Sequence, residues 1–314
     1  MEDVHERPVL RALAIGEIFD RAVTMYVRNF VVFTLIVATL LVPIGILQFI
    51  YTDRAGDSFT QLIRQIQHPG SAPAYDGSAL LGLLSVALLV LLLAPFTNNA
   101  VAVGVAALYA GRKPTYRDGF ARVLTRWAPL LGTSVLSLLV LVGTYFIIVF
   151  ALVILVFIGV LAARGSAALS VTFVIVGLVL TLAALTLFLV LVITCGFALY
   201  ATTIEASAPA DAIGEAFRRI FNRREFRKAM LIALAYLALE IGVLLLSGTI
   251  GGFLGFYVRN ITAQAAIQVV VGTTLNAMFT AFLTVLLAVY YYDVRTRAEG
   301  LDLEVALDDL TAPA

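Results

Sequence analysis

A single cysteine, Cys195, two histidines and a scarcity of charge narrow the possibilities before any motif is sought. One thiol in an apolar run excludes an intramolecular disulfide, a CxxC pair and a cysteine zinc site. Neither His5 nor His68 has a second His, a Cys or a carboxylate at metal-ligand spacing, and the chain holds no HExxH, GxSxG, Walker A or dinucleotide fingerprint. No metal, cofactor or catalytic residue is therefore expected. Charged residues are only 13% of the 314, about half the share of an average soluble domain, while 61% are hydrophobic and mean hydropathy is +1.01. Too few polar side chains remain to cover a water-soluble globule. The net charge of +1 gives no reason to expect nucleic acid as a partner.

What the chain has in abundance is long apolar runs. A membrane helix needs about 20 apolar residues to cross about 30 Å of hydrocarbon. Six windows qualify: Phe30 to Tyr51, Leu80 to Ala110, Leu130 to Ala162, Leu169 to Ile204, Met230 to Val258 and Thr262 to Tyr292. The stretch from Gly165 to Ile204 has no Gly/Pro/Asn cluster in its middle and is read as one long helix. Residues 1–28 lack a compact apolar segment before a small-residue cleavage site, so the first span is expected to act as an uncleaved signal anchor.

The basic residues orient these spans. Of 21 Lys and Arg, only Arg54, Arg64, Arg164 and Arg259 fall on the odd-numbered connections; the rest lie in the N-terminal segment, the even-numbered connections and the C-terminal segment. Cytoplasmic loops carry such an excess, which places both termini in the cytoplasm and the protein in the plasma or inner membrane.

Each basic segment reads as an amphipathic helix leading into a span. Ile15, Ile18, Phe19, Ala22 and Tyr26 share one face, as do Phe120, Val123, Leu124 and Trp127, and then Ile213, Ala216, Phe217, Ile220 and Phe221. Aligning Phe19, Phe120 and Phe217 aligns Arg21, Arg122 and Arg219, and the second span of each unit ends alike at Ala107-Leu108-Tyr109, Ala198-Leu199-Tyr200 and Ala288-Val289-Tyr290. The fold expected is all-α: a polytopic bundle of six transmembrane helices and three cytoplasmic amphipathic helices, in one integral membrane domain spanning 1–314. It divides as a parallel threefold repeat over 8–111, 112–205 and 206–300, with an acidic cytoplasmic tail over 301–314. Arg122, Arg126, Arg218, Arg219, Arg223 and Arg224 are the candidates for contact with anionic headgroups or a protein partner. On the outer side, Phe59, Leu62, Ile63 and Ile66 follow Asp57 as a short capped helix that His68-Pro69-Gly70 would end.

Polar groups inside spans are costly, and a small set stands out. Glu240 lies midway along the fifth span, and Pro95, Asn98 and Asn99 fall within about a turn in the second. With Asn276 in the sixth they form a candidate intramembrane polar site, to which Thr273, Thr274 and Thr280 could add hydroxyls. Each also has a packing explanation: a protonated or bonded carboxyl, a proline kink, or amides holding helices together. The spacings Gly248 to Gly252 and Gly251 to Gly255 suit close helix approach. Tyr290, Tyr291 and Tyr292 suit a membrane interface, with Asp293 to Arg297 and Arg295 to Glu299 as i, i+4 pairs and Gly300 as a helix terminator.

Two segments frame the chain and resemble the membrane domain of the glycerophosphoryl diester phosphodiesterase family, a group of six-span bacterial and archaeal proteins. One is Ala14-Ile15-Gly16-Glu17-Ile18-Phe19-Asp20-Arg21-Ala22 with Tyr26, Arg28, Asn29 and Phe30; the other is Tyr291-Tyr292-Asp293-Val294-Arg295 with Arg297, Glu299, Gly300 and Leu303. The resemblance implies a lipid-handling membrane module. It does not imply phosphodiester hydrolysis, because the catalytic barrel that carries that chemistry is absent from the sequence.

Two function classes follow from these features. The first is a non-enzymatic scaffold or lipid-interaction module that uses its basic helices to engage anionic lipid or another membrane or cell-envelope protein. The alternative is a transporter or channel for a lipid-like or small solute, routed past Pro95, Asn98, Asn99, Glu240 and Asn276. An intramembrane enzyme would need a second acid or base beside Glu240, and the sequence offers none. The oligomeric state is not legible. The charge pattern predicts that green fluorescent protein fused after Ala314 is fluorescent in a bacterial host, whereas alkaline phosphatase fused there is inactive; the reverse result would invert the topology.

Overall fold

The computed structural model describes residues 11–67, 77–163, 167–258 and 260–299. Among them there are nine α-helices and no strand. In chain order they are α1 (Ile15–Arg28), α2 (Phe30–Gln67), α3 (Gly77–Tyr109), α4 (Tyr116–Thr125), α5 (Trp127–Ala163), α6 (Ala167–Tyr200), α7 (Pro209–Ile220), α8 (Arg223–Tyr257) and α9 (Ile261–Glu299), with a π-helical turn over Ala201–Glu205. A short helix followed by two long ones thus occurs three times. Six of the long helices meet the length and composition for crossing a membrane: Phe30–Ile50, Leu84–Tyr109, Trp127–Val160, Val171–Glu205, Glu225–Leu254 and Ala263–Ala298. The chain is an all-α, multi-pass membrane protein, because only helices with their backbone bonds satisfied internally suit such sequences in hydrocarbon.

Local chemistry sets the helix starts. The Ala14 N–H donates to Glu17 Oε2 at 2.8 Å ahead of α1. Thr115 Oγ1 accepts the Asp118 N–H at 3.1 Å and donates to the Asp118 carboxylate at 2.6 Å, capping α4. Asn222 and Asn260 accept from the Glu225 and Ala263 N–H groups at the starts of α8 and α9. Pro209, whose missing N–H costs nothing there, opens α7. The capping rules therefore place the joints between short and long helices.

Two expectations on α2 and α8 change. Asp57 starts no separate outer helix; α2 runs through it and through Gly56 to Gln67, with no Pro between Tyr51 and Gln67 to remove a backbone N–H. On α8, Gly251 lies against α9, where an added Cβ would sit 3.2 Å from Gln268, but Gly248 and Gly252 meet nothing within 4 Å. Among the described glycines of this stretch Gly251 alone makes a close approach, and Gly255 lies outside the described side chains. The tail over 301–314, Gly300, Leu303, His5 and His68 lie outside the described residues.

Packing groups the chain into two compact units. The first contains residues 19–125 and 239–289, hence most of α1, all of α2 to α4, the second part of α8 and most of α9. Its core lies at the end where α1 and α4 sit: Phe33, Ile36 and Val37 of α2 meet Ala100, Val101 and Val105 of α3, with Leu283, Val285 and Leu286 of α9, all at most 1% exposed. Gly104 admits the Phe33 ring and Gly119 admits the Ala100 carbonyl, at 2.7 and 3.0 Å from where a Cβ would stand. Tyr26 ties α1 to α9 by donating to the Met278 carbonyl at 2.7 Å. A smaller cluster of Leu40, Ile44 and Val86 joins α2 and α3 farther along.

The second unit contains residues 10–18, 126–238 and 290 onward. Here α5 and α6 pack closely: a Cβ on Gly159 would meet Phe173 at 3.4 Å and one on Gly177 would meet Leu155 at 3.5 Å. Thr133 and Thr202 share a hydrogen bond of 2.8 Å, and the buried Cys195 thiol lies 3.9 Å from the Ser137 carbonyl. Elsewhere these two helices present Phe146, Ile147, Phe150, Phe157, Val174 and Ile175 outward, as side chains that face lipid.

Because Phe33 is fully buried, its ring cannot yield easily to a new methyl group at position 104. Gly104→Ala should lower the thermal midpoint in detergent, at a cost of about 1–3 kcal/mol. Gly242→Ala, with nothing within 4 Å, should leave it unchanged or raise it; equal behaviour of the two variants would show that the α2–α3 contact is not tight.

Candidate functional site

The first unit contains a cavity of about 880 Å³ bounded by α2, α3, α8 and α9. Its walls are apolar, with Leu40, Leu41, Ile44, Val90, Ala94, Val243, Leu244 and Val269. Polar groups are set among them: Gln48 on α2, Thr97 and Asn98 on α3, Glu240 and Ser247 on α8, and Gln268, Thr273, Asn276 and Thr280 on α9. A cavity of this size, apolar with a few directed polar groups, has the makeup of a small-molecule site.

Helical periodicity explains how α9 builds its share. Ala265, Gln268, Val269, Gly272, Thr273, Asn276 and Thr280 form one stripe along about 22 Å of helix. Thr274 is off that stripe; it is exposed and its hydroxyl bonds back to the Val270 carbonyl at 2.8 Å. Gly45 brings α2 against α9, since a Cβ there would stand 2.5 Å from Thr273 Oγ1. Asn98 accepts from Thr284 at 3.4 Å, and Asn276 accepts from Thr280 at 2.8 Å. Glu240 forms no hydrogen bond or ion pair among the described residues.

The cavity has a floor and an open end. Asn98, Glu240 and Thr280 each lie near the middle of their helices, and beyond them toward Tyr109, Phe30 and Val289 stand the fully buried Phe33, Ala100, Val105 and Leu286. In the other direction the lining continues through Gln48, Ser247, Gln268 and Ala265, and the glutamines are exposed. The polar groups therefore stand at mid-depth under an opening on the side away from α1 and α4.

Of the five intramembrane candidates, Asn98, Glu240 and Asn276 line this cavity, and Pro95 and Asn99 do not. α3 runs unbroken through Pro95. Asn99 is fully buried, donating to the Pro95 carbonyl at 2.7 Å while its Oδ1 has no partner. It acts within α3, not on the cavity. Gln48, Thr97, Ser247 and Gln268 were not singled out from the sequence; for Gln268 the available signal was the α9 stripe, on which it stands about one turn before Gly272 and about two before Asn276.

The second unit holds a separate polar cluster that gathers the framing motifs. Asp293, whose side chain is fully buried, accepts the Leu13 N–H at 2.6 Å, Lys228 at 2.7 Å and Arg297 Nε at 3.2 Å. Lys228 and Arg297 also donate to the Leu13 carbonyl, at 2.7 and 2.6 Å. Beside it, Glu205 at the end of the π-helical turn receives Arg219 in a two-pronged pair at 3.0 Å, Arg295 at 3.3 Å and the Tyr291 hydroxyl. The turn closes on Ala206 in a left-handed conformation, φ 61°. Tyr290, Tyr291 and Tyr292 are thus buried rather than set in an interfacial belt; the Tyr290 hydroxyl donates to the Glu225 carbonyl, and Phe197 packs edge-on against Tyr291 at 5.2 Å. Hydroxyl partners inside the unit outweigh the headgroup region as their solvent.

The remaining motif and basic residues separate clearly. Glu17 binds the Ala14 N–H and Arg11, at 2.8 and 2.6 Å, while Gly16 and Asp20 are exposed and Arg21 is half-buried. Arg122, Arg218 and Arg223 are exposed, Arg219 is held by Glu205 and Glu215, and Arg126 has a buried Nε with no partner. On α4 the inward face is Gly119 and Val123, not the whole expected stripe; Leu124 is 59% exposed, and Trp127, which falls at the start of α5, is 56% exposed. The side chains of Arg224 and Glu299 lie outside the described residues. No family model, curated protein or solved structure matches the chain.

Breaking a buried charge pair from one side costs about 3–5 kcal/mol because the other charge is left without a partner. Lys228→Met should therefore lower the thermal midpoint in detergent strongly, and adding Asp293→Asn should recover part of the loss by removing the stranded carboxylate. A Lys228→Met protein as stable as the parent would mean that the Asp293 cluster does not hold the unit together.

Proposed function

We propose that the protein is a non-enzymatic membrane carrier that binds a small amphipathic or lipid-like solute in the cavity of its first unit. The observation that carries this reading is the cavity itself: a mid-depth set of Asn98, Glu240 and Asn276, surrounded by apolar walls and open in one direction. Solute sites near the midplane of helical carriers have this character, with polar groups on several helices facing a wet chamber. The scaffold reading rests instead on the exposed Arg122, Arg218 and Arg223, and the cavity carboxyl is what favours the carrier over it. The order of a short helix and two long ones, three times over, supports a parallel repeat as the frame, with the basic helices at the cytoplasmic face of a plasma or inner membrane.

The amphipathic helices take a supporting part. Exposed Leu124 and Arg122 on α4, with Trp127 at the start of α5, suit the boundary between acyl chains and anionic headgroups. The lipid-handling role implied by the resemblance of the framing segments agrees with an amphipathic solute, and Asp293, Arg295 and Arg297 then serve as the ion-paired base of the helices rather than as ligand contacts.

Carriers expose their site to each side in turn. In a Cys195→Ala background, Asn98→Cys should react with a membrane-impermeant methanethiosulfonate in right-side-out vesicles and also in inverted vesicles. Ala100→Cys, fully buried two residues on, should resist the reagent from the open side. Labelling of Asn98→Cys from one side only would overturn the carrier reading and leave a one-sided receptor.

A further inference from the structure

Charge within the cavity narrows what it takes. Among the described residues its lining includes one ionisable side chain, Glu240, and no Lys, Arg or His; every other polar contributor there is an amide or a hydroxyl. An anionic headgroup would enter with no counter-charge and would sit near a carboxyl. A neutral polar head would meet the amides and hydroxyls but leave the carboxyl without a partner in a mostly apolar enclosure. A cation answers both conditions.

The neutral groups favour the same ligand. Asn98 and Asn276 each use their side-chain oxygen to receive a threonine hydroxyl, from Thr284 and Thr280. Carbonyl-type oxygens have two lone pairs, so each keeps one for a further donor. Glu240 has both carboxylate oxygens free of protein partners among the described residues. Acceptors at mid-depth thus come from three helices, while Leu40, Ile44, Val90 and Val243 supply the surface for an apolar body. We infer that the cavity selects a cationic amphiphile, a single ammonium-type head on an apolar body, with Glu240 as its counter-ion. This rests on the carrier reading and names the ligand class for the same site.

Three probes with a common decyl chain test it: decylammonium, whose N–H groups can donate to the free lone pairs, decyl maltoside and decyl phosphate. Each is added below its solubilising concentration to the full-length protein in phosphatidylcholine nanodiscs, and bound probe is counted by native mass spectrometry. The cation should bind one per protein, at least tenfold more tightly than decyl phosphate and more tightly than decyl maltoside. Glu240→Gln should abolish the preference while still binding decyl maltoside, and Glu240→Asp should keep it, which separates loss of charge from loss of fold. Equal or tighter binding of the phosphate or the maltoside by the parent protein overturns the inference, as does a preference that survives Glu240→Gln, or no saturable binding of the cation. None of these results touches the two-sided labelling at position 98, so the ligand class and the carrier reading fail separately.

Discussion

In hydrocarbon a polar group without a partner costs several kcal/mol, and this chain has few charges with which to meet that demand. Each charge that leaves water therefore has to be answered by another residue. Asp293 shows the consequence most fully. A fully buried carboxylate is met by a backbone N–H, a lysine and an arginine, and the same two cations hold the Leu13 carbonyl. Through these bonds the segment before α1, the start of α8 and the end of α9 become one polar junction. Glu205 repeats the pattern with Arg219, Arg295 and Tyr291.

Against that rule, Glu240 is an exception with a location. It sits in a span, in a cavity, with no such partner among the described residues. The buried carboxylates of Asp293 and Glu205 are met by cations; this one is enclosed by leucine, isoleucine and valine with amides at hand. The difference separates a residue that holds helices together from one that is available to a ligand. The described ion pairs lie in the second unit and the cavity in the first.

The cavity depends on uneven packing along its helices. Gly104 and Gly119 allow α2, α3 and α4 to close tightly at one end, where Phe33, Ala100 and Val105 are fully buried. Past mid-depth the side chains on α9 become Thr273, Gln268 and Ala265, and the helices no longer fill the volume between them. Small residues at one end and polar ones at the other thus produce a floor and an opening from a single set of helices.

Much of the architecture was legible in the sequence. Six apolar runs and the three short helices before them follow from local composition, which acts over a few residues, whereas the caps at Thr115, Asn222 and Asn260 were seen only in the structure. The candidates Asn98, Glu240 and Asn276 stood out because polar groups in an apolar run are rare. What the sequence did not reveal was who meets whom. Leu13 with Asp293 and Lys228, or Glu205 with Tyr291, are contacts across 65 to 280 residues, and no periodicity records a partner so far away. The tyrosine run read as an interfacial belt for that reason, and Asn99 and Pro95 read as part of a site from which the turn of α3 excludes them. Sequence determined the helices and the stock of polar groups, since these depend on local backbone and solvent preference. Tertiary structure alone decided which of those groups are satisfied by neighbours and which face a cavity, because that depends on the rotation and spacing of helices brought together from distant parts of the chain.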